Sequence, residues 1–389
     1  MKSGARAPDL NADILVVGAG PAGASAALVA ARRGAHTILL ERARMPRTKV
    51  CGEYLSPVTL DALAALNLLG EVRARAHALT SLSLAGFGIG PVRMRLPGLG
   101  GLSIARSDFD FALAAAAQAA GAHLISGTFT AAAQTREHVD VQYRDEAGDE
   151  HAIRARALVG ADGSWSAVAA RLGLSGAQRR GGRWAVGGHQ QTLGDSDEIE
   201  MFVGERGYYA RNPLGGGLAN VMLVMPRALL DDEADRCVRG VSGGRYGMQR
   251  KDLVRRVAVG PLRYRARAPA HGRAILAGDA AELLDPFLGQ GIALAVGLSG
   301  AAANAALALA AGTPPERATR PYVLERARAA RRIRLVARSV DALLRVPWLR
   351  GRAARKLARR PELADQLLAV VAGAAADEQR LALAWDLIA

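Results

Sequence analysis

The stretch Ile14-Leu15-Val16-Val17-Gly18-Ala19-Gly20-Pro21-Ala22-Gly23, extended by an Ala-rich run and closed by Thr37-Ile38-Leu39-Leu40-Glu41-Arg42, decides the fold. Four apolar residues, Ile14 to Val17, predict a buried strand. Gly18, Gly20 and Gly23 form G-x-G-x-x-G, and Ala24 to Arg33 continues as a helix. Thr37 to Leu40 predicts a second strand that ends at Glu41. Gly18 permits a tight turn, Gly20 lets the backbone approach a pyrophosphate, and Gly23 lets helix and strand pack closely. The helix start at Pro21-Ala22 favours an anion, through the unpaired N–H groups that follow the proline and the positive dipole end. Glu41 lies near the offset of about 20 residues at which an acid accepts a ribose hydroxyl. G-x-G-x-x-G alone says little in a chain with 44 glycines. Here the strands, the helix and the acid all fall where a dinucleotide site needs them.

Outward from this unit the chain alternates helical and extended patterns. Ser56-Pro57 predicts a helix start and Gly70 its C′ residue, with Leu60, Leu63 and Leu66 near one face. Residues 78–96 predict a strand pair, and Ser107 or Asp108 caps a helix to about Ala120. Thr128 to Ile153 alternates as an antiparallel meander, and Ala157 to Gly160 is a short buried strand ending before Asp162-Gly163. Trp184 to Met225 reads as the antiparallel sheet of a second lobe. Arg236 to Gln249, rich in Gly and Arg, reads as a loop. Ala274 to Ala277 returns to a buried strand, and the chain from Gly289 onward reads helical.

Ile275-Leu276-Ala277-Gly278-Asp279-Ala280, followed by Asp285-Pro286-Phe287-Leu288-Gly289-Gln290-Gly291-Ile292, is the second strong signal. A strand ends in Gly-Asp, then a Gly-rich turn opens a helix. Asp279 is placed to accept from a polyol hydroxyl, and the N–H groups of Gly289 to Ile292 suit an electron-rich ring edge. In order and spacing, Gly18 to Gly23, Glu41-Arg42, Arg106, Asp162-Gly163 and Gly278-Asp279 with its Gly-rich turn resemble one superfamily over about 340 residues. It is the FAD-dependent oxidoreductase superfamily of para-hydroxybenzoate hydroxylase, geranylgeranyl reductases and flavin-dependent halogenases.

The resemblance implies an α/β fold: a Rossmann-like FAD-binding lobe, an antiparallel substrate lobe and a C-terminal helical segment. The FAD lobe would take residues 1–76, 102–178 and 262–340. The substrate lobe would take 77–101 and 179–261, and the helical segment 341–389. It implies that Glu41, with Arg42 beside it, holds the adenosine ribose, and that Arg106 lies near the pyrophosphate and ribityl chain. Asp279 would hold the ribityl or pyrophosphate region. Pro286 and Gly289 to Ile292 would cap the flavin ring, and Asp162-Gly163 would sit beside the path of a nicotinamide. With no second G-x-G-x-x-G unit, NAD(P)H would act as a transient reductant.

Lys49-Val50-Cys51-Gly52-Glu53-Tyr54-Leu55-Ser56-Pro57 is similar to the geranylgeranyl reductase segment that passes beside the flavin. Cys51 is either a thiol made reactive by Lys49 or a helix end, or a small packing residue beside Gly52, which lets the flavin approach. Tyr208-Tyr209-Ala210-Arg211-Asn212-Pro213 falls where prenyl reductases carry Tyr-x-Trp-x-Phe-Pro. Tyr208 and Pro213 are kept, but Ala210 and Asn212 replace the Trp and Phe. The halogenase signature Trp-x-Trp-x-Ile-Pro is absent. Tyr208, Tyr209, Arg211 and Asn212 are candidate pocket residues, with Cys51, Tyr208 and Arg211 the candidates for the flavin face. His189 is a candidate acid or base on the same sheet. The favoured activity is NAD(P)H-dependent oxygen insertion, hydroxylating or epoxidising an aromatic, polyketide-like or lipid-like molecule. The alternative is reduction of double bonds in a prenyl or polyene chain. An electron-carrying flavoprotein is a third class. In each enzyme reading the cofactor supplies the chemistry, so the sequence needs neither a protein nucleophile nor a metal cluster.

The 389 residues suffice for two lobes, and a hydrophobic fraction of 50% excludes a disordered chain. The net charge of +15 does not indicate nucleic acid. It is nearly all Arg, aromatics are 4%, and no basic stripe interleaves with stacking residues. Two cysteines, Cys51 and Cys237, cannot make a disulfide framework and fit a reducing cytoplasm. The uncharged stretch Gly289 to Gly312 reads as a buried helix, since it is mostly Ala and Gly with Gln290, Ser299 and Asn304. Residues 345–360 carry seven Arg or Lys and no acid beside Val346, Trp348, Leu349 and Leu357. That segment is either a helix lying on an anionic membrane or one packed on the FAD lobe.

Overall fold

Apolar runs separated by Gly-rich turns build two large sheets, beside two small ones, in the computed structural model, which describes residues 10–87, 89–176, 182–229 and 234–375. The chain opens with β1 (Leu10–Val17), α1 (Pro21–Arg32), β2 (Thr37–Glu41) and α2 (Pro57–Ala65). A strand pair, β3 (Ser81–Gly86) and β4 (Ile89–Arg95), leads to α3 (Arg106–Ala119), β5 (His123–Ser126) and β6 (Glu150–Gly160). Next come β7 (Arg183–Gln191), β8 (Glu198–Val203), β9 (Tyr208–Gly215), β10 (Leu218–Pro226) and β11 (Leu253–Val259). The chain ends with β12 (Ala274–Leu276), α4 (Gly291–Gly297), α5 (Ser299–Ala310), α6 (Pro315–Arg345), α7 (Pro347–Arg359) and α8 (Pro361–Val371).

The first sheet runs β5-β2-β1-β6-β12, all parallel, with Ile14 facing both Thr37 and Ala157. Its strands are buried on both faces, which is why they read as unbroken apolar runs. Ile14, Val16 and Leu39 pack with α1, α3 and α5 on one face. Leu15, Val17, Ile38 and Leu40 pack on the other, against the antiparallel strands Thr128–Gln134 and Val139–Arg144. The second sheet runs β11-β7-β10-β9-β8-β3-β4 and is antiparallel except where β8 meets β3. Alternation divides it sharply. Met201, Val203, Met222 and Val224 face α7 and α8, whereas Phe202, Tyr209, Val221 and Leu223 face the helix Ala234–Val241.

Several expectations are corrected. Helix α2 ends at Ala65, not near Gly70: Asn67 takes the left-handed turn at φ 54°, which buries Leu68 in the core. Gly70 instead sits inside the short helix Leu69–Arg73. Helix α3 starts at Arg106, ahead of Ser107 and Asp108, because a remote carboxylate caps it: Arg106 N donates to Glu53 Oε1 at 2.8 Å. Residues 236–249 are not all loop. Ala234–Val241 is helical, with Asp235 bonded to Arg239 Nε and Met248 N, both at 2.7 Å, and with Val238 buried. Helix α6 crosses position 340 without a break, and residues 376–389 of the expected C-terminal segment lie outside the described residues. Helices α7 and α8 pack on β4 of the second sheet, not on the parallel one. There Arg95 N and Nε donate to Asp365 of α8 at 2.6 and 2.8 Å. The apolar stretch 291–310 forms two helices hinged at Leu298, and 67% of its most apolar window is buried inside the protein.

Candidate functional site

The glycines of the first turn serve three different ends. At Gly18, φ +102°, a Cβ would stand 2.4 Å from the Ala161 carbonyl oxygen. At Gly23 it would stand 1.8 Å from the Gly18 carbonyl oxygen, so this residue seals helix against strand and does not line the cavity. Gly20 has an ordinary φ of −77°, and a Cβ there would meet only the guanidinium nitrogens of Arg47 and Arg106, at 3.6 and 3.9 Å. Its open side is therefore a space between a helix N-terminus and two cations.

Those cations are held in place by two buried acids. Arg106 makes a bidentate pair with Asp110, both bonds 2.8 Å, and Arg47 reaches Asp110 at 3.1 Å and Glu41 at 3.4 Å. Glu41 also accepts from Ala19 N at 2.8 Å and Ala43 N at 3.0 Å, so the predicted ribose acceptor also fixes the Gly-rich turn. Arg42 and Lys49 join the same cavity wall. Burial, then the charges of Arg47, Arg106 and Arg42, hold the Lys49 ammonium below its ordinary range. Arg47 Nε is buried and, among the described residues, has no hydrogen-bond partner. Crowded cations, an orphaned donor and an open glycine at a helix start together fit a bridging diphosphate.

The second predicted segment closes the same cavity. Gly278, φ +58°, would bring a Cβ to 2.8 Å from Ala22 Cβ, so the two Gly-rich turns touch although some 250 residues separate them. Asp279, Pro286, Gly289, Gly291 and Ile292 line the cavity, as do Asp162 and Gly163. Burial pushes the Asp279 carboxyl up, opposed by the charges of Arg106 and Lys49. Gln290 does not face the cavity: its Nε2 donates to Val371 O at 3.0 Å, fastening the start of α4 to α8. Asp162 is engaged locally, accepting from Ser166 Oγ at 2.6 Å and Val168 N at 3.2 Å.

The segment around Cys51 is gripped from the second sheet. Asn220 Nδ2 donates to Cys51 O at 2.6 Å, and Asn212 Nδ2 to Gly52 O at 2.9 Å. His189 Nε2 lies 2.7 Å from Glu53 Oε2. Glu53 is the residue that sequence reasoning missed. It is buried, lines the cavity, sits in the left-handed region at φ 56°, and joins His189 to the start of α3. Asp110 was missed too, although its spacing of four from Arg106 on a helix was a readable signal. The surroundings of Cys51 favour the packing reading over the reactive thiol. Burial pushes the thiol up, outweighing the nearby Arg106. The neutral thiol is thus retained further into alkaline pH. At pH 8, peptide-resolved mass spectrometry should find Cys51 alkylated at least about tenfold more slowly in the native protein than after denaturation.

Strand parity sorts the motif on β9. Tyr208, Ala210 and Asn212 face the cavity. Tyr208 meets Phe287 edge-on at 5.1 Å, and burial pushes its hydroxyl pKa up. Tyr209 and Arg211 point through the other side of the sheet, which removes Arg211 from the flavin-face candidates. Arg211 pairs there with Glu200 at 3.1 Å and stacks on Tyr246. Glu200 also accepts from Tyr246 Oη at 2.6 Å.

Beyond the charged end the cavity, about 670 Å³, becomes apolar. Met201, Met222 and Val224 form its floor on the sheet, and Leu343, Leu357 and Leu368 of α6, α7 and α8 form its roof.

Residues 11–229 match the FAD binding domain family. The chain is 29% identical to a menaquinone reductase of Mycobacterium tuberculosis over 307 residues, 73% of this chain and 74% of the relative. It is 28% identical to a digeranylgeranylglycerophospholipid reductase of Thermoplasma acidophilum over 309 residues, 73% and 75% of the two chains. A flavoprotein/dehydrogenase of Cytophaga hutchinsonii shares the fold at TM-score 0.82 and 18% identity, over 97% of this chain and 98% of that one. With a family match across more than half its length and a charged cradle suited to the diphosphate, the chain belongs to the FAD binding domain family, as an FAD-dependent oxidoreductase.

Proposed function

We propose that this protein reduces carbon–carbon double bonds of a long isoprenoid chain, in preference to the oxygen insertion favoured by the sequence. The observation that carries this reading is the cavity's apolar half, floored by the second sheet and roofed by α6 to α8. Methionine and leucine walls suit a flexible hydrocarbon chain, since they offer dispersion contacts and no hydrogen bonds. Two relatives support it: their names specify menaquinone and a digeranylgeranyl phospholipid, both of which bear long isoprenoid chains.

FAD in this fold supplies a hydride when reduced, with NAD(P)H the proposed electron source. The chain contributes the rest. Gly20, Arg47 and Arg106 would hold the diphosphate and Glu41 the ribose, and Cys51-Gly52, its backbone gripped by Asn220 and Asn212, would lie beside the ring. The apolar walls exclude water from the substrate chain. Saturating one double bond takes a hydride and a proton. Glu53, bonded to His189 and lining the cavity, is the residue of this chain that the reading assigns to pass that proton to the substrate.

The decisive experiment is to reduce the purified protein without oxygen and add a geranylgeranyl lipid. Product heavier by two hydrogens per saturated bond, formed anaerobically, is the expected result. Product that forms only with oxygen and gains an oxygen atom would instead establish insertion.

A further inference from the structure

The helices that roof the apolar half of the cavity have a second face. On α6 the outward stripe is Arg331, Leu335, Arg338 and Arg345, spaced four, three and seven residues apart. On α7 it is Trp348, Arg352, Arg355 and Arg359, spaced four, three and four. Both follow the helical repeat. Leu335 is 66% exposed and Trp348 67% exposed, among the few large apolar side chains so placed. From residue 328 to 360 the chain holds twelve Arg or Lys and one acid, Asp341, which is taken up by Arg345 at 2.7 Å. The opposite faces of these helices, through Leu343, Leu344, Ala353 and Leu357, line the cavity.

From this juxtaposition we infer that the outer face of α6 and α7 docks on an anionic lipid bilayer. A flat cationic surface finds complementary charge on phosphate headgroups, each cation near the surface contributing several-fold in affinity. Trp348 and Leu335 supply what electrostatics alone does not, because an indole with an apolar body and one N–H suits the headgroup boundary. A nucleic-acid partner fits less well, since the stripe offers one aromatic side chain and no series of stacking platforms. Docking sets the roof of the cavity against the membrane, one helix away from the lipid. A lipid-borne chain then enters without crossing water; that delivery step rests on the reductase reading, whereas the docking surface does not.

The test reads binding, not turnover, so its failure and that of the reductase reading are separable. The FAD-loaded protein is sedimented with vesicles of phosphatidylcholine alone or with about one third phosphatidylglycerol, at low and high salt. Binding to the anionic vesicles, lost at high salt and nearly absent on the neutral ones, is expected. Arg355→Glu with Arg359→Glu should weaken it about 30-fold or more. Leu335→Ser with Trp348→Ser should weaken it at least about tenfold. These side chains are exposed, and retained yellow colour and circular dichroism confirm folding. No binding at low salt, equal binding to neutral vesicles, or both double variants binding like the parent would overturn the proposal. So would tight binding to duplex DNA without binding to vesicles.

Discussion

Gly20→Val should yield a folded, colourless protein. Gly20 has φ −77°, which valine adopts, and the nearest atoms to a new Cβ are the Arg47 and Arg106 guanidinium nitrogens at 3.6 and 3.9 Å. The fold therefore accepts the side chain, because its Cβ meets those nitrogens at ordinary van der Waals distance. The diphosphate is shut out, since valine fills the approach between the helix N–H groups and the two cations. FAD affinity should fall more than about 100-fold, roughly 2.8 kcal/mol, measured by flavin fluorescence on titration of the apoprotein. The contrast is with Gly18 and Gly23, where a Cβ would strike backbone at 2.4 and 1.8 Å and unfolding would precede any effect on flavin. A Gly20→Val protein that retains stoichiometric FAD would refute the assignment of this turn.

Glu53→Gln should leave the fold and the flavin in place and slow double-bond reduction about 100-fold, the usual scale for a displaced proton donor. Glutamine keeps an acceptor for Arg106 N and a polar partner for His189, so the 2.8 and 2.7 Å contacts have substitutes. What it cannot do is hold a proton for the substrate. Glu53→Ala separates the structural share. It leaves Arg106 N and the buried His189 ring unpaired, and should cost about 2–4 kcal/mol in chemical denaturation. Anaerobic turnover of Glu53→Gln equal to that of the parent would show that Glu53 only positions the segment.

Much of the FAD cradle was legible because its demands are local. A strand, three glycines and a helix start are defined by neighbours in the chain, and the second Gly-rich turn at Gly278 is the same kind of signal. Glu53 was not legible. It acts on Arg106, 53 residues away, and on His189, 136 residues away, and nothing near it in sequence announces either. Arg211 was misplaced for a related reason. Strand β9 is covered on both sides, so hydrophobic alternation is blurred, and parity alone sends Tyr208 inward and Arg211 outward.

By itself, then, the sequence determined the nucleotide-binding half: its strands, its turns, its charged residues and the class of cofactor they suit. The tertiary structure alone decided the other half. Only when α6 to α8 close over the second sheet do leucines from the last fifth of the chain face methionines from its middle. That cavity is a product of packing between distant elements, and its apolar walls, more than any motif, carry the proposal of a long apolar substrate. A backbone cradle is written in consecutive residues, whereas a hydrophobic cavity is written only in which surfaces meet.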